Sequence, residues 1–140
     1  MGMYTELILG CRLSKNTPKL LINALDAVIN HWNEKNYGDA PDEVKDFIIE
    51  YDLPYLFHGT SYYFGVNRPN SAFWLDDITG SWCISTRSNI KNYEDQIDNF
   101  LTYLEPYVEQ GSGECDIYAY VLYEVDKKPT IYSLKDIEEK

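Results

Sequence analysis

Short connections between aromatic-rich segments constrain the fold of this chain more than any other feature. Residues 61–66, 72–76 and 81–85 are predicted to be short strands, and only a few turn-forming residues separate each from the next. A parallel crossover needs a dozen or more residues, so consecutive strands in this region must pair antiparallel. We therefore expect an antiparallel meander in this part of the chain.

Three other segments show the period of an amphipathic helix. Apolar side chains recur at spacings of three and four through residues 18–35, 41–53 and 92–110. Pro54 is interpreted as the end of the second helix, because proline cannot continue a helical hydrogen-bond ladder. Asn92 is interpreted as the cap of the third.

The third predicted helix carries the clearest apolar stripe in the chain. We expect this stripe to be buried against a sheet that includes residues 115–125, because a helix with one apolar face must cover that face. The stripe contains Ile97, Phe100, Leu101, Leu104 and Val108.

Period-two alternation marks the remaining strands, at residues 4–13, 115–125 and 130–134. The element order is then β-α-α-β-β-β-α-β-β. It predicts an α+β fold in which three helices lie on one face of a largely antiparallel sheet of about five or six strands. The position of the first strand in the sheet stays open, because two helices separate it from the next strand.

Size and aromatic content describe this domain further. The length of 140 residues fits one domain over residues 1–140, and we expect residues 1–3 and 136–140 to be frayed. Aromatic residues make up 15% of the chain, with 13 tyrosines, and most fall in strand-like segments. Two interpretations are open: a sheet with one buried and one amphipathic face, or an aromatic binding face.

Charge and cysteine content exclude several classes of partner and location. The chain has 12 Lys and Arg against 23 Asp and Glu, a formal net charge of −11, and its basic residues are scattered. This balance opposes direct binding to nucleic acid or to an anionic membrane. No apolar run approaches the length of a membrane span, and no signal-peptide pattern opens the sequence. Three cysteines without a C-x-x-C spacing favour a reducing, cytoplasmic location.

Histidine and arginine supply the only candidates for catalysis. The sequence lacks the phosphate-binding, dinucleotide-binding, nucleophile-elbow and zinc-binding motifs. His58 is predicted to lie in a loop before a strand, where it could act as a general base or simply be solvated. Arg87 is the charged residue with the least structural explanation. Asp76 and Asp77 either bind a cation near these two residues or form an ordinary turn.

The cysteines and the other histidine have structural interpretations. Cys11, Cys83 and Cys115 each lie among apolar strand residues and are expected to act as small hydrophobic side chains. His31 is expected to stabilise the end of the first helix. We predict no metal and no cofactor, because no cysteines or histidines stand at ligand spacing.

Acidic residues form a regular pattern on the second helix. Asp42, Asp46 and Glu50 recur every four residues on the face opposite Phe47 and Ile48. Like charges at this spacing repel by a few tenths of a kcal/mol per pair, so they do not serve helix stability. They either keep the protein soluble or bind a basic surface of another protein.

One resemblance covers about residues 60–133. The run WCISTRSNIKNY at residues 82–93, the following helix with Phe100 and Leu101, and KPTIY at residues 128–132 resemble a group of small uncharacterised proteins of phages and prophages. The resemblance implies an accessory gene product in a bacterial or phage-infected cytoplasm. It implies no catalytic residue.

Two functional hypotheses follow. The first is a non-catalytic, acidic protein-interaction module, in which Asp42, Asp46 and Glu50 bind a partner such as a host protein. The alternative is a small enzyme or ligand-binding domain with its site near His58 and Arg87. A pocket in which these two side chains converge would favour the second hypothesis.

Overall fold

The computed structural model describes residues 5–31, 40–58, 70–91, 95–109, 117–123 and 127–134, and it shows an α+β fold with a six-stranded antiparallel sheet. The strands are β1 (Thr5–Leu13), β2 (Ser71–Leu75), β3 (Trp82–Ile90), β4 (Val108–Glu109), β5 (Ile117–Leu122) and β6 (Thr130–Ser133). The helices are α1 (Lys19–Leu25), α2 (Asp42–Tyr51), α3 (Leu53–His58) and α4 (Gln96–Leu104). A π-helical turn extends α1 over Asp26–Asn30, and a 3-10 turn extends α4 over Glu105–Tyr107. The predicted fold class is confirmed, with α3 as an additional short helix.

β1 occupies the centre of the sheet. The strand order is β2-β3-β1-β5-β6, and β4 pairs with β1 beyond the end of β5. Every pairing is antiparallel. Along β1, Leu7 and Leu9 are buried, whereas Ile8 and Gly10 are exposed. This alternation is expected because successive residues of a strand point to opposite faces of the sheet. The first strand is therefore central, which the sequence had left open.

The described helices cover one face of the sheet and form a single core with it. The predicted stripe of α4 is confirmed: Ile97, Phe100, Leu101 and Leu104 are all buried. The helix itself is shorter than the predicted range of 92–110.

Proline accounts for the early end of α4. Pro106 lies in the 3-10 turn, because it has no backbone N–H to continue the helix. Val108, expected on the helical stripe, instead pairs with Leu13 in β4. The predicted cap at Asn92 lies outside the described residues.

The prediction that Pro54 ends the second helix is wrong. Asp52 ends it, with φ of 51° in the left-handed region. Pro54 then occupies the first turn of α3. Backbone N–H groups in the first turn make no hydrogen bond within the helix, so the lack of an N–H in proline costs nothing there. His58 is consequently the last residue of a helix and not part of a loop. The helical segment that begins with α1 ends at Asn30, where His31 is no longer helical, and this is earlier than the predicted end at about residue 35. The strand predicted over 61–66 lies outside the described residues.

Three hydroxyl side chains interrupt the apolar lining on the helix-facing side of β2 and β3. The Oγ atom of Ser88 donates to the carbonyl oxygen of Leu56 at 2.5 Å, and that of Ser71 donates to the carbonyl of Phe57 at 2.6 Å. Thr86 lies between them, with its hydroxyl 2.5 Å from that of Ser71 and 3.3 Å from that of Ser88. We call Ser71, Thr86 and Ser88 the hydroxyl ladder. Ser71 and Ser88 of this ladder bind carbonyl groups of α3, which a short helix cannot pair internally.

Candidate functional site

The three predicted partner-binding residues form one exposed stripe along α2. Asp42, Asp46 and Glu50 are all exposed, and we call them the acidic stripe. The opposite side of the helix is buried through Val44 and Phe47, which fixes the orientation of the stripe toward solvent. Asp42 also lies in the first turn, where its charge complements the positive end of the helix dipole.

The acidic stripe leads at Glu50 into a cleft between the end of α2 and the start of α4. The cleft has a volume of about 670 Å³. Two further carboxylates, Asp52 and Asp98, line it together with Glu50, and none of its described lining residues is basic. The described lining consists of Ile49, Glu50, Tyr51, Asp52, Gln96, Asp98, Asn99 and Thr102.

Hydrogen bonds fix both additional carboxylates in place. The Nε2 atom of Gln96 donates to Oδ2 of Asp52 at 2.9 Å, which ties the corner between α2 and α3 to α4. The hydroxyl of Tyr132 donates to Oδ1 of Asp98 at 3.0 Å and lies 3.1 Å from the hydroxyl of Tyr123. Burial raises the pKa of Tyr132, and these two hydrogen bonds raise it further. Tyr132 therefore remains protonated and donates to Asp98.

Aromatic rings support the cleft from behind. The rings of Phe47, Tyr51 and Tyr103 lie 5.0–5.3 Å apart, centroid to centroid. Burial raises the pKa of both tyrosines, and the nearby carboxylate of Glu50 adds to this effect. Their phenols therefore stay neutral beside the acidic groups. The cleft thus presents carboxylate, amide and hydroxyl oxygens to a ligand, a donor set suited to a cationic group.

His58 contacts the helix layer and not a reaction site. Its Nε2 atom lies 2.6 Å from the carbonyl oxygen of Val28. Because a carbonyl can only accept, Nε2 is the donor in this hydrogen bond. The contact ties the end of α3 to the π-helical turn after α1.

Arg87 lies on the opposite face of the sheet from His58. Its side chain is 61% exposed, and its Nε atom donates to Oε2 of Glu6 on β1 at 2.5 Å. Its neighbours on β3, Thr86 and Ser88, face the helices. His58 and Arg87 therefore do not converge on a pocket. Arg87 has a cross-strand ion pair, of a kind that contributes about 0–1 kcal/mol when exposed.

Asp76 and Asp77 lie in the turn between β2 and β3. The side chain of Asp76 accepts hydrogen bonds from the hydroxyl of Thr79 at 2.7 Å and from its backbone N–H at 3.2 Å. Asp76 is one residue beyond the Leu75–Trp82 pair. It is about 20 Å from Arg87 along the hairpin, at about 3.3 Å per residue. The pair of aspartates therefore does not join Arg87 in one site.

The Asp76 turn predicts a pH-dependent contribution to stability. The hydrogen bonds from Thr79 lower the pKa of Asp76 below its ordinary value. A carboxyl whose pKa is lower in the folded state stabilises the protein above its unfolded pKa and loses that effect as the pH falls through the folded pKa. Asp76→Ala should therefore lower the urea midpoint at neutral pH, and the difference from wild type should shrink below about pH 4. An equal difference at both pH values would contradict this.

Cys11 lies in β1 and Cys83 lies in β3. Burial raises the pKa of the Cys11 thiol to about 12, and the nearby Cys83 adds to this rise. Cys11 is therefore an unreactive thiol, in agreement with its interpretation as a hydrophobic side chain. Cys115 lies outside the described residues. His31 follows the π-helical turn, with its Nε2 atom 3.4 Å from Oδ2 of Asp26.

Within the described ranges, no three His, Cys, Asp or Glu side chains lie close enough together to hold a metal ion. The expected absence of a metal stays a prediction. In the same parts of the chain, no helix combines the length and apolar character needed to cross a membrane.

Sequence reasoning missed two groups of residues. Asp52 and Asp98 join the acidic stripe only because α2 and α4 pack side by side, and no local pattern indicates that packing. Ile8 and Tyr120 are exposed on the sheet face opposite the helices. The sequence signal for this face is the run of bulky residues at both parities of β5, where Tyr120 and Leu122 alternate with Ala119 and Val121.

Comparison of the chain with protein-family models, with curated proteins and with solved structures gives no match. The resemblance to phage and prophage proteins stays an expectation from the sequence.

Proposed function

We propose that this chain is a non-catalytic protein-interaction module in which the acidic stripe and the adjacent cleft bind a basic surface of another protein. The observation that carries the proposal is the continuity of carboxylates from Asp42, Asp46 and Glu50 into a cleft whose described lining contains no basic residue. Such a surface steers a basic partner over a distance and selects against acidic ones.

Two features of the cleft make it suitable for lysine or arginine side chains of that partner. Asp52 and Asp98 are already held by hydrogen bonds, so their carboxylates lose little freedom when a cation binds. Ile49 lies beside them and is 73% exposed, which provides an apolar contact for the aliphatic part of a long basic side chain.

The setting we propose follows from the resemblance. A phage-encoded accessory protein in the bacterial cytoplasm would find its basic partner among the proteins of the host. The enzymatic hypothesis receives less support, because His58 and Arg87 lie on opposite faces of the sheet and Nε2 of His58 is occupied by Val28.

The test begins with a pull-down from a bacterial lysate and continues with charge removal on the captured partner. The variant Asp42→Asn, Asp46→Asn, Glu50→Gln should remain within about 1 kcal/mol of wild-type stability, because exposed charges contribute little to folding. Its association rate should fall about 10-fold at low salt, where steering is strongest. The difference should disappear at about 0.5 M salt, where charges are screened within a few ångströms.

A matched control removes three charges elsewhere. Asp77, Asp95 and Glu109 are also exposed, and the variant Asp77→Asn, Asp95→Asn, Glu109→Gln changes the net charge by the same amount. It should associate at nearly the wild-type rate. If both triple variants lose the same fraction of the rate, the net charge and not the acidic stripe is responsible. If neither differs from wild type at any salt concentration, the stripe only maintains solubility.

A further inference from the structure

The central part of the sheet face opposite the described helices is open and carries an apolar ridge, whereas Asn89 at one end of that face is 3% exposed. Tyr120 of β5 is the register partner of both Ile8 on β1 and Ile131 on β6, so these three side chains form one row across three strands. Ile8 is 41% exposed, Tyr120 is 39% exposed and Ile131 is 52% exposed. Single exposed apolar residues are common on protein surfaces, but contiguous apolar side chains on three neighbouring strands are typical of an interaction surface.

A shallow depression lies next to this ridge. Gly10 follows Ile8 by two residues on the same face of β1, and its register partner on β3 is Ser85. With no side chain at Gly10 and a small one at Ser85, the surface sinks into a depression of about 300 Å³ that Trp74 also lines. The open face therefore has a ridge and an adjacent depression at its centre.

The charges on this face are nearly balanced, unlike those of the whole chain. Arg87 is paired with Glu6, and Arg12 is the register partner of Glu109. The described part of the face thus carries two positive groups, Arg12 and Arg87, and three negative ones, Glu6, Glu109 and Asp76, the last of which lies near Arg12. The whole chain has a formal net charge of −11. The acidic stripe of α2 belongs to the helix layer, on the other side of the sheet.

We propose that this open face is the interface of a homodimer, in which two copies of the chain pack sheet against sheet. A face with nearly balanced charges can pack against a copy of itself, and packing these faces directs both acidic helix layers outward. Packed sheets are about 10 Å apart, so the two helix layers lie more than about 20 Å from each other. This distance exceeds the screening length of about 8 Å at physiological salt, so the net charge does not oppose the dimer.

The ridge and the depression fit such a two-fold arrangement. Consider a two-fold axis that lies in the plane of the interface and crosses β1 at a right angle between Ile8 and Gly10. This axis places Ile8 of each copy over the depression at Gly10 of the other copy. Five strands about 4.8 Å apart, over about 20 Å of strand length, give a footprint of about 400–500 Å² per copy. The total of about 1,000 Å² is at the lower end of specific interfaces, which indicates a reversible dimer.

Sedimentation equilibrium of the full chain tests this proposal. From about 1 µM to about 500 µM, the wild type should shift from monomer to dimer, the range expected of a weak interface. Gly10→Val should weaken the dimer at least about 10-fold, because its side chain fills the depression. A Cβ atom at Gly10 meets no atom within 4 Å, so the monomer accommodates the change. Valine favours strands, so the thermal midpoint of the monomer should not fall.

A matched apolar residue away from this face provides the control. Ile49→Ser, on α2, should leave the dimerisation constant unchanged, whereas Ile8→Ser should weaken the dimer as Gly10→Val does. A wild type that remains monomeric at the highest concentration overturns the proposal and leaves the face to a different partner. A dimer that Gly10→Val leaves intact, or that Ile49→Ser dissociates, also overturns it.

Discussion

Phe100→Ala lowers the free energy of unfolding by about 3–5 kcal/mol, as large-to-small substitutions in close-packed cores do. The Phe100 side chain is 1% exposed, and its ring meets that of Phe57 edge to face at a centroid distance of 5.5 Å. The ring of Tyr51 lies 6.1 Å away on another side. Because α2, α3 and α4 all contribute to this contact, no single helix can move to close the cavity without losing contacts elsewhere.

Urea denaturation at neutral pH measures this effect. Thr102→Ala is the control, since Thr102 lies on the exposed side of the same helix and should change stability by no more than about 0.5 kcal/mol. The dependence of the unfolding free energy on urea should be the same for all three proteins, which confirms that the folded states are equally compact. A loss below about 1 kcal/mol for Phe100→Ala would mean that the helix layer repacks and that our account of this core is wrong.

Ser88→Ala costs about 1–3 kcal/mol, a large effect for the loss of one oxygen atom. Ser88 is fully buried, and its hydroxyl donates to the carbonyl of Leu56 in α3. Without this donor the carbonyl oxygen is left in the core with a hydrogen-bonding capacity that water cannot satisfy. The hydroxyl of Thr86, 3.3 Å from that of Ser88, loses a neighbour as well.

Ser85 provides the same substitution on the same strand with the opposite orientation. It is exposed on the open face, and Ser85→Ala should change the unfolding free energy by no more than about 0.5 kcal/mol. Comparing the two variants separates the effect of the hydrogen bond from any effect on strand propensity. Equal losses for Ser85→Ala and Ser88→Ala would show that the hydroxyl ladder contributes no stability.

The period of the apolar residues predicted much of this fold. The stripe through Ile97 and Leu104 identified α4 and its buried face, because a spacing of three and four is incompatible with a strand. The same argument placed Asp42 and Glu50 on the exposed side of α2. Burial and exposure along one helix are local properties of the chain, and the sequence is therefore sufficient for them.

Non-local packing was beyond the sequence. A proline can follow the end of one helix or lie in the first turn of the next, and the backbone before it decides between the two. For Pro54 the deciding feature is the left-handed conformation of Asp52, which the residue type does not reveal. The sequence also could not show that His58 and Arg87 lie on different faces of the sheet. Whether a residue at the end of α3 and one on β3 share a face depends on which side of the sheet the helix packs, and no local pattern specifies that.

The hydroxyl ladder corresponds to a recognisable pattern in the sequence of β3. Thr86 and Ser88 occupy inward positions of β3 that an ordinary core strand fills with apolar residues. Polar residues at the buried parity of a strand indicate that a backbone group of another element needs a donor there. In this chain that element is α3, whose carbonyl groups Ser71 and Ser88 satisfy.

The central position of β1 affects how this protein folds while it is being synthesised. As the chain leaves the ribosome, β1 appears before β3 and β5, the strands that flank it on either side. Thr5 pairs with Ile90, and Leu7 pairs with Val121, so most of the chain must be made before the middle strand has neighbours. Pairings this distant in sequence raise the contact order and slow folding. Until then β1 has two unpaired edges, which leave it exposed to aggregation and to capture by chaperones during translation.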